Sequence, residues 1–357
     1  MIVNVLGASR FWHVAKIIAP ANWVCDRFHR LVWSFVWKGK TESVSRQRCC
    51  APIELGGLNV VDFRSKCVSL RLSCFCSLRD NFGGHKWHYL ARYFIGNRLA
   101  RLDARFAFAS NLVPSSSEPS LFYRRCLNIF QQLFDKYGAL PDDLSCKEIY
   151  LLLFDFPRAA PRCAGLWRSV VGRPIERWTS VWRKSRLKLI ENRKNDVLWL
   201  LLHNAVRVRS ILKSWGYISS DCCAVCSRKE TSEHCFVSCP RVIRVWNYFV
   251  PFLSRLRGSP FVLSFSSVLF PLSDAPSSPT LPIFHYLVAS ILFFVWRTRN
   301  LATFRNNVLD SRAIIDMIIK DVKLRIRCDA FDRVRFFWST NNIICSVNAD
   351  NEIVFNL

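Results

Sequence analysis

Apolar residues recur at three- and four-residue intervals along most of the chain, which places them on one face of an α-helix. Within residues 12–38, Val24, Phe28, Leu31, Val32, Phe35 and Val36 form such a stripe, and Pro20 separates it from a preceding helix. From Leu121 to Tyr137 the apolar positions are 122, 126, 127, 130, 133, 134 and 137, and Ile314 to Ile326 carries a further stripe. Leu198 to Gly216 predicts a helical pair, with Gly216 as the cap after its second member. Pro52 and Gly56-Gly57 mark a tight turn, followed by an extended Leu58–Val61 and a helix that Asp62 can cap. A strand pattern enters only at the end, where Ile343 to Phe355 predicts a short hairpin turning at Ala349-Asp350-Asn351-Glu352. The expected fold class is mainly α with a short terminal β-hairpin.

Breaks divide this pattern. Gly83-Gly84 ends a helix, Pro114–Ser120 forms a loop, and Ser273–Pro282 is a Ser/Pro-rich linker. The expected segments are 1–113, 120–195, 196–258 and 280–357. The most apolar run, Leu281–Trp296, contains His285 and is shorter than the ~20 residues of a membrane span. It predicts a buried core helix and no membrane partner. Asp142-Asp143 follows Pro141 with no third acidic residue nearby, so an N-cap and first-turn role is expected rather than metal binding.

Charge changes the picture. Among 357 residues, 51 Lys+Arg oppose 26 Asp+Glu, a net charge of +25, and 51% hydrophobic residues exclude a disordered tail. A packed chain with so one-signed an excess points to a polyanion, most simply RNA and/or DNA. The plainer alternative is a surface that is merely basic. A basic loop carries Lys38, Lys40, Arg46 and Arg48. The densest run, residues 157–194, includes Arg168, Arg173, Arg177, Arg183, Lys184, Arg186 and Lys188, interleaved with Trp167, Trp178 and Trp182. Cations that neutralise phosphates and rings that stack on bases suit single strands or structured RNA. Helices with a charged outer face and a tryptophan-rich inner face would give the same pattern.

Sixteen cysteines without a secretory leader (Arg10, His13 and Lys16 interrupt the N-terminal apolar residues) suggest an intracellular, reducing setting, cytoplasm and/or nucleus. Four potential ligands stand apart, Cys223, Cys226, His234 and Cys239, at spacing C-x2-C-x7-H-x4-C. Three thiolates and an imidazole are a closed, tetrahedral structural zinc set. A segment with so little apolar material needs such a staple. Cys222 could replace Cys223, Cys235 adjoins His234, and pairwise oxidation is the alternative in an oxidising compartment. His203 is expected to pack between helices rather than bind metal.

Two sets of words carry a family resemblance. The first is Phe35-Val36-Trp37-Lys38, the basic loop, then Pro52-x3-Gly56-Gly57-Leu58-Asn59-Val60-x-Asp62. The second is Trp199-x3-His203, Arg209-x2-Leu212-x2-Trp215-Gly216, the four ligands with Glu230-Thr231-x2-His234 and Cys239-Pro240, Trp246, and Trp296-Arg297-Thr298-Arg299-Asn300. Together they resemble the thumb, connection and zinc-binding domain of non-LTR (LINE-type) retrotransposon reverse transcriptases, over about residues 12–305. The resemblance implies a thumb-like 1–113, a basic connection at 120–195, a zinc-binding domain at 196–258 with its knuckle at 223–239, and a helical tail with its hairpin at 280–357. It implies structural zinc, and backbone contacts to nucleic acid by the basic residues named above. In the parent protein such a region would hold RNA template or target DNA for target-primed reverse transcription. The family's aromatic-x-Asp-Asp motif does not occur in this sequence, and the tail after Cys239 shows no Pro-Asp…Asp-x-Lys endonuclease cluster. The expectation is a C-terminal, non-catalytic piece with no small-molecule substrate. A domesticated or decayed retroelement protein, acting as a protein-binding adaptor or without present function, is the second expectation.

Overall fold

The computed structural model describes residues 3–76, 78, 86–104, 119–138, 145–271, 279–329, 334–339, 342–350 and 352–357. Gly83-Gly84, residues 114–118 of the first loop, Asp142-Asp143, residues 273–278 of the second linker and Asn351 lie outside them. Contacts group the chain into two compact units, Met1–Pro52 with Gly57–Pro157, and Ile53–Gly56 with Arg158–Leu357. The division after Pro157 falls inside the expected 120–195 segment.

The first unit is helical: α1 (Ser9–Ala15), α2 (Asn22–Val36), α3 (Arg46–Cys50), α4 (Phe63–Cys76), α5 (Lys86–Leu102), α6 (Leu121–Tyr137) and α7 (Cys146–Leu153). Ala21, just after Pro20, is extended, and α2 starts at the next residue. Its packed face differs from the expected stripe. Cys25, Val32 and Trp33 are buried, whereas Leu31 and Phe35 are exposed. This helix carries more apolar residues than one face can hold, and Phe63, stacked on Phe28 at 4.2 Å, selects the face used. Asp62 caps α4 by accepting from Ser65 N–H at 2.8 Å. Ser145 and Glu148 form a capping box at the start of α7. The main core joins Leu72 of α4, Ile95 and Leu99 of α5, Phe130 and Leu133 of α6, and Ile149 of α7.

The chain after Gly57 doubles back on α3. Leu58 N–H and Val60 N–H both donate to Cys49 O, and Asn59 N–H donates to Ala51 O. Gly57 lies so close that a Cβ there would sit 1.8 Å from Ala51 O. Backbone cannot yield as a flexible side chain can. Gly57→Ala is therefore expected to lower unfolding free energy by about 1–3 kcal/mol. A urea unfolding curve superimposable on the parent's would refute this.

The second unit contains α8 (Ala164–Val171), α9 (Trp178–Lys184), α10 (Asn192–Leu202), α11 (Arg209–Ser214), α12 (Pro240–Arg257), α13 (Phe265–Leu269), α14 (Leu281–Arg305) and α15 (Ser311–Cys328). Strands β1 (Cys345–Val347) and β2 (Ile353–Phe355) pair antiparallel, with Ser346 opposite Val354. The chain is thus mainly α with a two-stranded hairpin. α14 is the axis of this unit and packs against α10, α12 and α15. It runs nine residues beyond Trp296 and is long and apolar enough to cross a membrane by composition, yet 72% of its most apolar window is buried inside the protein. That burial makes it the core helix. Lys194, read in sequence as part of the basic run, is fully buried here. Its ammonium donates to Asp321 of α15 and to Tyr286 Oη of α14 at 2.7 Å, and pairs with Glu191 at 2.9 Å.

Candidate metal centre and basic face

Gly216, at φ +75°, turns the chain out of α11 and into the cysteine loop. There the backbone folds on itself. Cys223 N–H donates to Arg228 O at 2.7 Å, Ser227 N–H to Cys223 O at 3.0 Å, and Glu230 N–H to Asp221 O at 2.8 Å. Thr231 Oγ1 accepts from His234 N–H at 3.1 Å and starts the wide turn His234–Ser238. Cys239 N–H closes that turn on His234 O at 2.9 Å, and Pro240 opens α12.

This path brings four side chains together. One ligand atom from each of Cys223, Cys226, His234 and Cys239 lies within 4.8 Å of the other three. Cys226 Sγ and His234 Nε2 are 3.2 Å apart. Ligands on a tetrahedral zinc, with bonds of about 2.0–2.3 Å, stand roughly 3.5–3.8 Å from one another, so the group needs only small adjustment. Cys222 and Cys235 are outside the group. Cys222 is exposed and lies on a bridge to Lys229. Cys235 is buried, and burial followed by the Glu230 carboxylate pushes its thiol up. The described cysteines are all free thiols.

Electrostatics favours a cation here. A hydrogen bond from Cys239 holds the Cys223 thiol down at about 4, while the same bond and then burial push Cys239 up. Two adjacent thiols sharing one negative charge is what like-charge repulsion demands without a metal. A dication lifts that restriction and lets all three sulfurs bind as thiolates.

Sequence reasoning missed the support behind this cluster. Glu230 and Arg299 form a buried ion pair, with side chains 1% and 5% exposed. Arg299 Nε donates to Glu230 Oε1 at 3.0 Å, and Nη2 donates to the same oxygen. Glu230 Oε1 also accepts from Arg209 N–H at 2.8 Å. The guanidinium lies over Trp296, 4.9 Å from its centroid, and Trp296 stacks on Phe236 of the His234–Ser238 turn. Trp246 Nε1–H donates to Phe236 O at 2.8 Å. A charged residue near the end of an otherwise apolar helix was the available signal, because burial there requires a partner.

His203 packs as expected. Its ring stacks on Trp182 at 4.7 Å, and Nε2 lies 2.9 Å from Gly56 O, which also accepts from Trp199 Nε1–H at 2.9 Å. Gly56 adopts φ +78°, and a Cβ there would meet the Trp182 ring at 2.6 Å.

The basic residues separate. Arg168, Arg173, Arg177, Arg183, Lys184 and Lys188 are exposed, and Arg186 is half-buried and paired with Asp196 at 3.4 Å. In the first unit Lys38, Lys40 and Arg46 are exposed, Arg46 pairs with Glu42 at 2.7 Å, and Arg48 is buried. The stacking role weighed for the tryptophans is corrected, because Trp167, Trp178 and Trp182 are all core residues. Trp167 and Trp182 spend their indole N–H groups inward, on Leu202 O and Ala159 O, each at 2.7 Å. A ring enclosed on both faces cannot receive a base.

No curated protein matches the chain. Residues 163–246 match the family model described as zinc-binding in reverse transcriptase, a span that contains the exposed basic run and all four ligands. This match, with the geometry of the cluster, supports a reverse-transcriptase-related protein whose structural zinc site is Cys223, Cys226, His234 and Cys239.

Proposed function

We propose that the chain is a zinc-stabilised, nucleic-acid-binding part of a LINE-type reverse transcriptase, one that holds RNA template or target DNA without catalysing a reaction itself. The observation that carries the proposal is the charge on α8, α9 and the segments beside them. Six exposed cations, Arg168, Arg173, Arg177, Arg183, Lys184 and Lys188, occur within the matched span, with their tryptophans turned into the core. Exposed cations without exposed rings contact phosphates and leave bases unread, which suits a protein that must hold many sequences. The LINE-type assignment is supported by two of its signatures meeting at one atom, since Gly56 O accepts from Trp199 and faces His203.

Salt dependence tests this. About six phosphate contacts to a single strand give a log–log slope of about −4, so affinity should fall by about two orders of magnitude between ~50 and ~200 mM salt. Arg173→Ala with Arg183→Ala should weaken RNA binding and flatten that slope by about 1.4. Fluorescence anisotropy on a labelled RNA reads both. Affinity indifferent to salt, or a double variant binding like its parent, would remove the basis of the proposal.

A further inference from the structure

Trp215 departs from the other tryptophans of the second unit. Trp167, Trp178, Trp182, Trp199, Trp246 and Trp338 are buried, and all but Trp178 donate the indole N–H to a protein oxygen. Trp296 is half-buried. Trp215 is 47% exposed, and its indole N–H has no acceptor among the described residues. Tyr217 is 63% exposed, with its hydroxyl likewise unpartnered among them. The two rings meet edge to face, their centroids 6.3 Å apart.

Backbone contacts hold this pair against the zinc loop. Trp215 N–H donates to Ile211 O at 3.1 Å, and Tyr217 N–H reaches back past Gly216 to Leu212 O at 3.0 Å. Both ends of α11 are tied to the loop. Ser210 N–H donates to Glu230 O at 3.1 Å, and the Lys213 ammonium pairs with Asp221 at 3.1 Å. Glu230 N–H in turn donates to Asp221 O, and Lys229 bridges to Cys222, so Arg228 and Lys229 lie on the strand-like segment paired with Asp221. Both cations are exposed, and neither side chain has a hydrogen-bond or ion-pair partner among the described residues. A surface fixed before binding loses little entropy when a ligand arrives.

The occupant follows from ring and charge together. Asp221 is the one carboxylate between Trp215 and Lys229, and Lys213 already holds it. The exposed chain neighbours of the rings, Lys213, Ser214, Gly216 and Ser219, add no large apolar side chain, whereas a protein partner buries a sizeable apolar core. Open ring faces beside unpaired cations match a strand whose bases lie flat on aromatics and whose phosphates meet positive charge. We infer that Trp215 and Tyr217 form a stacking platform for unpaired bases of a single strand, with Arg228 and Lys229 on the adjoining phosphates. The inference rests on the nucleic-acid reading above and adds to it a preference for single strands. Stacking accepts every base, so the platform holds a strand without selecting its sequence.

Anisotropy titrations of the full, zinc-loaded chain test this with a labelled single-stranded RNA, an abasic strand of equal length and a duplex. The parent should bind the RNA about tenfold more tightly than the abasic strand. Trp215→Ala with Tyr217→Ala should erase that difference, weakening the RNA alone by about tenfold or more. Its salt slope should stay at the parental value, because no charge is lost. Trp215→Phe with Tyr217→Phe keeps two rings and should retain most of the affinity. Arg228→Ala with Lys229→Ala should instead weaken both strands and flatten the slope by about 1.4. All four side chains are exposed, so each variant should keep the parent's zinc content and melting temperature. Parental RNA affinity in the ring-less variant assigns the pair to a protein partner and overturns the proposal. An equal loss on the abasic strand or the duplex overturns it too. Salt-sensitive binding by the parent without preference over the abasic strand rejects the platform alone, whereas no salt-sensitive binding at all rejects the nucleic-acid reading and the platform with it.

Discussion

Cys226→Ser is expected to abolish zinc binding and unfold the loop that carries it. Parent protein should contain about one zinc per chain by metal analysis, and the variant close to none. Cysteine at 226 is only half-buried, so replacing sulfur by oxygen removes a soft ligand with little change in packing. The loop from Cys222 to Cys239 has few alternatives to the metal. Apart from the ligands, its buried apolar residues, Cys235, Phe236 and Val237, fall in the second half, while Cys222–Cys226 is held by backbone hydrogen bonds. Structural zinc contributes about 10–16 kcal/mol in small zinc peptides, and a loop of this kind forfeits several kcal/mol of that without it. Amide hydrogen exchange should accelerate across residues 221–239, and His234→Ala should behave in the same way. Cys222→Ser is the contrast, expected to keep both metal and protection, because that thiol is exposed and outside the group. Full metal content and parental stability in both ligand variants would be incompatible with the assignment.

Glu230→Gln should destabilise the second unit by about 3–5 kcal/mol, although it alters only one functional group. Glutamine keeps an oxygen for Arg209 N–H, so the change isolates the charge facing Arg299. Removing it leaves a guanidinium buried without its counter-ion, which costs far more than losing a surface pair. Replacing both partners, Glu230→Met with Arg299→Met, should recover most of the loss, since an apolar pair has no charge to desolvate. The coupling from a double-mutant cycle should exceed about 2 kcal/mol. A Glu230→Gln variant within about 0.5 kcal/mol of its parent by thermal or denaturant melts would show that the pair stabilises nothing.

The sequence disclosed local features best. Apolar spacing marked α6 at its true limits, Leu121–Tyr137, because seven positions on one stripe leave a single face to bury. The Asp62 cap, the helical pair before the knuckle, the terminal hairpin and the four grouped ligands were legible for the same reason, since each is encoded within a few residues. What escaped depends on distant neighbours. Helical spacing shows that Trp178 and Trp182 share a face, but only the surrounding apolar surface decides whether that face meets the core or a base. Lys194 reads as one cation in a basic run until Asp321, 127 residues away, takes its proton donors. Glu230 and Arg299 stand 69 residues apart, so no local pattern pairs them. The stripe on α2 failed differently, because an excess of apolar positions leaves the choice of face to Phe28 and Phe63.

The carbonyl of Gly56 has a consequence for the order in which the protein is made. Its partners, Trp199 and His203, lie 143 and 147 residues further along the chain. During synthesis the Ile53–Gly56 segment therefore emerges and waits, its place in the second unit unfilled until α10 leaves the ribosome. Closing so long a loop delays contacts of this kind relative to the local helices. The same connection makes the second unit indivisible by trimming. A chain begun at Arg158 would leave the indole N–H of Trp199 without its acceptor and one face of Trp182 uncovered.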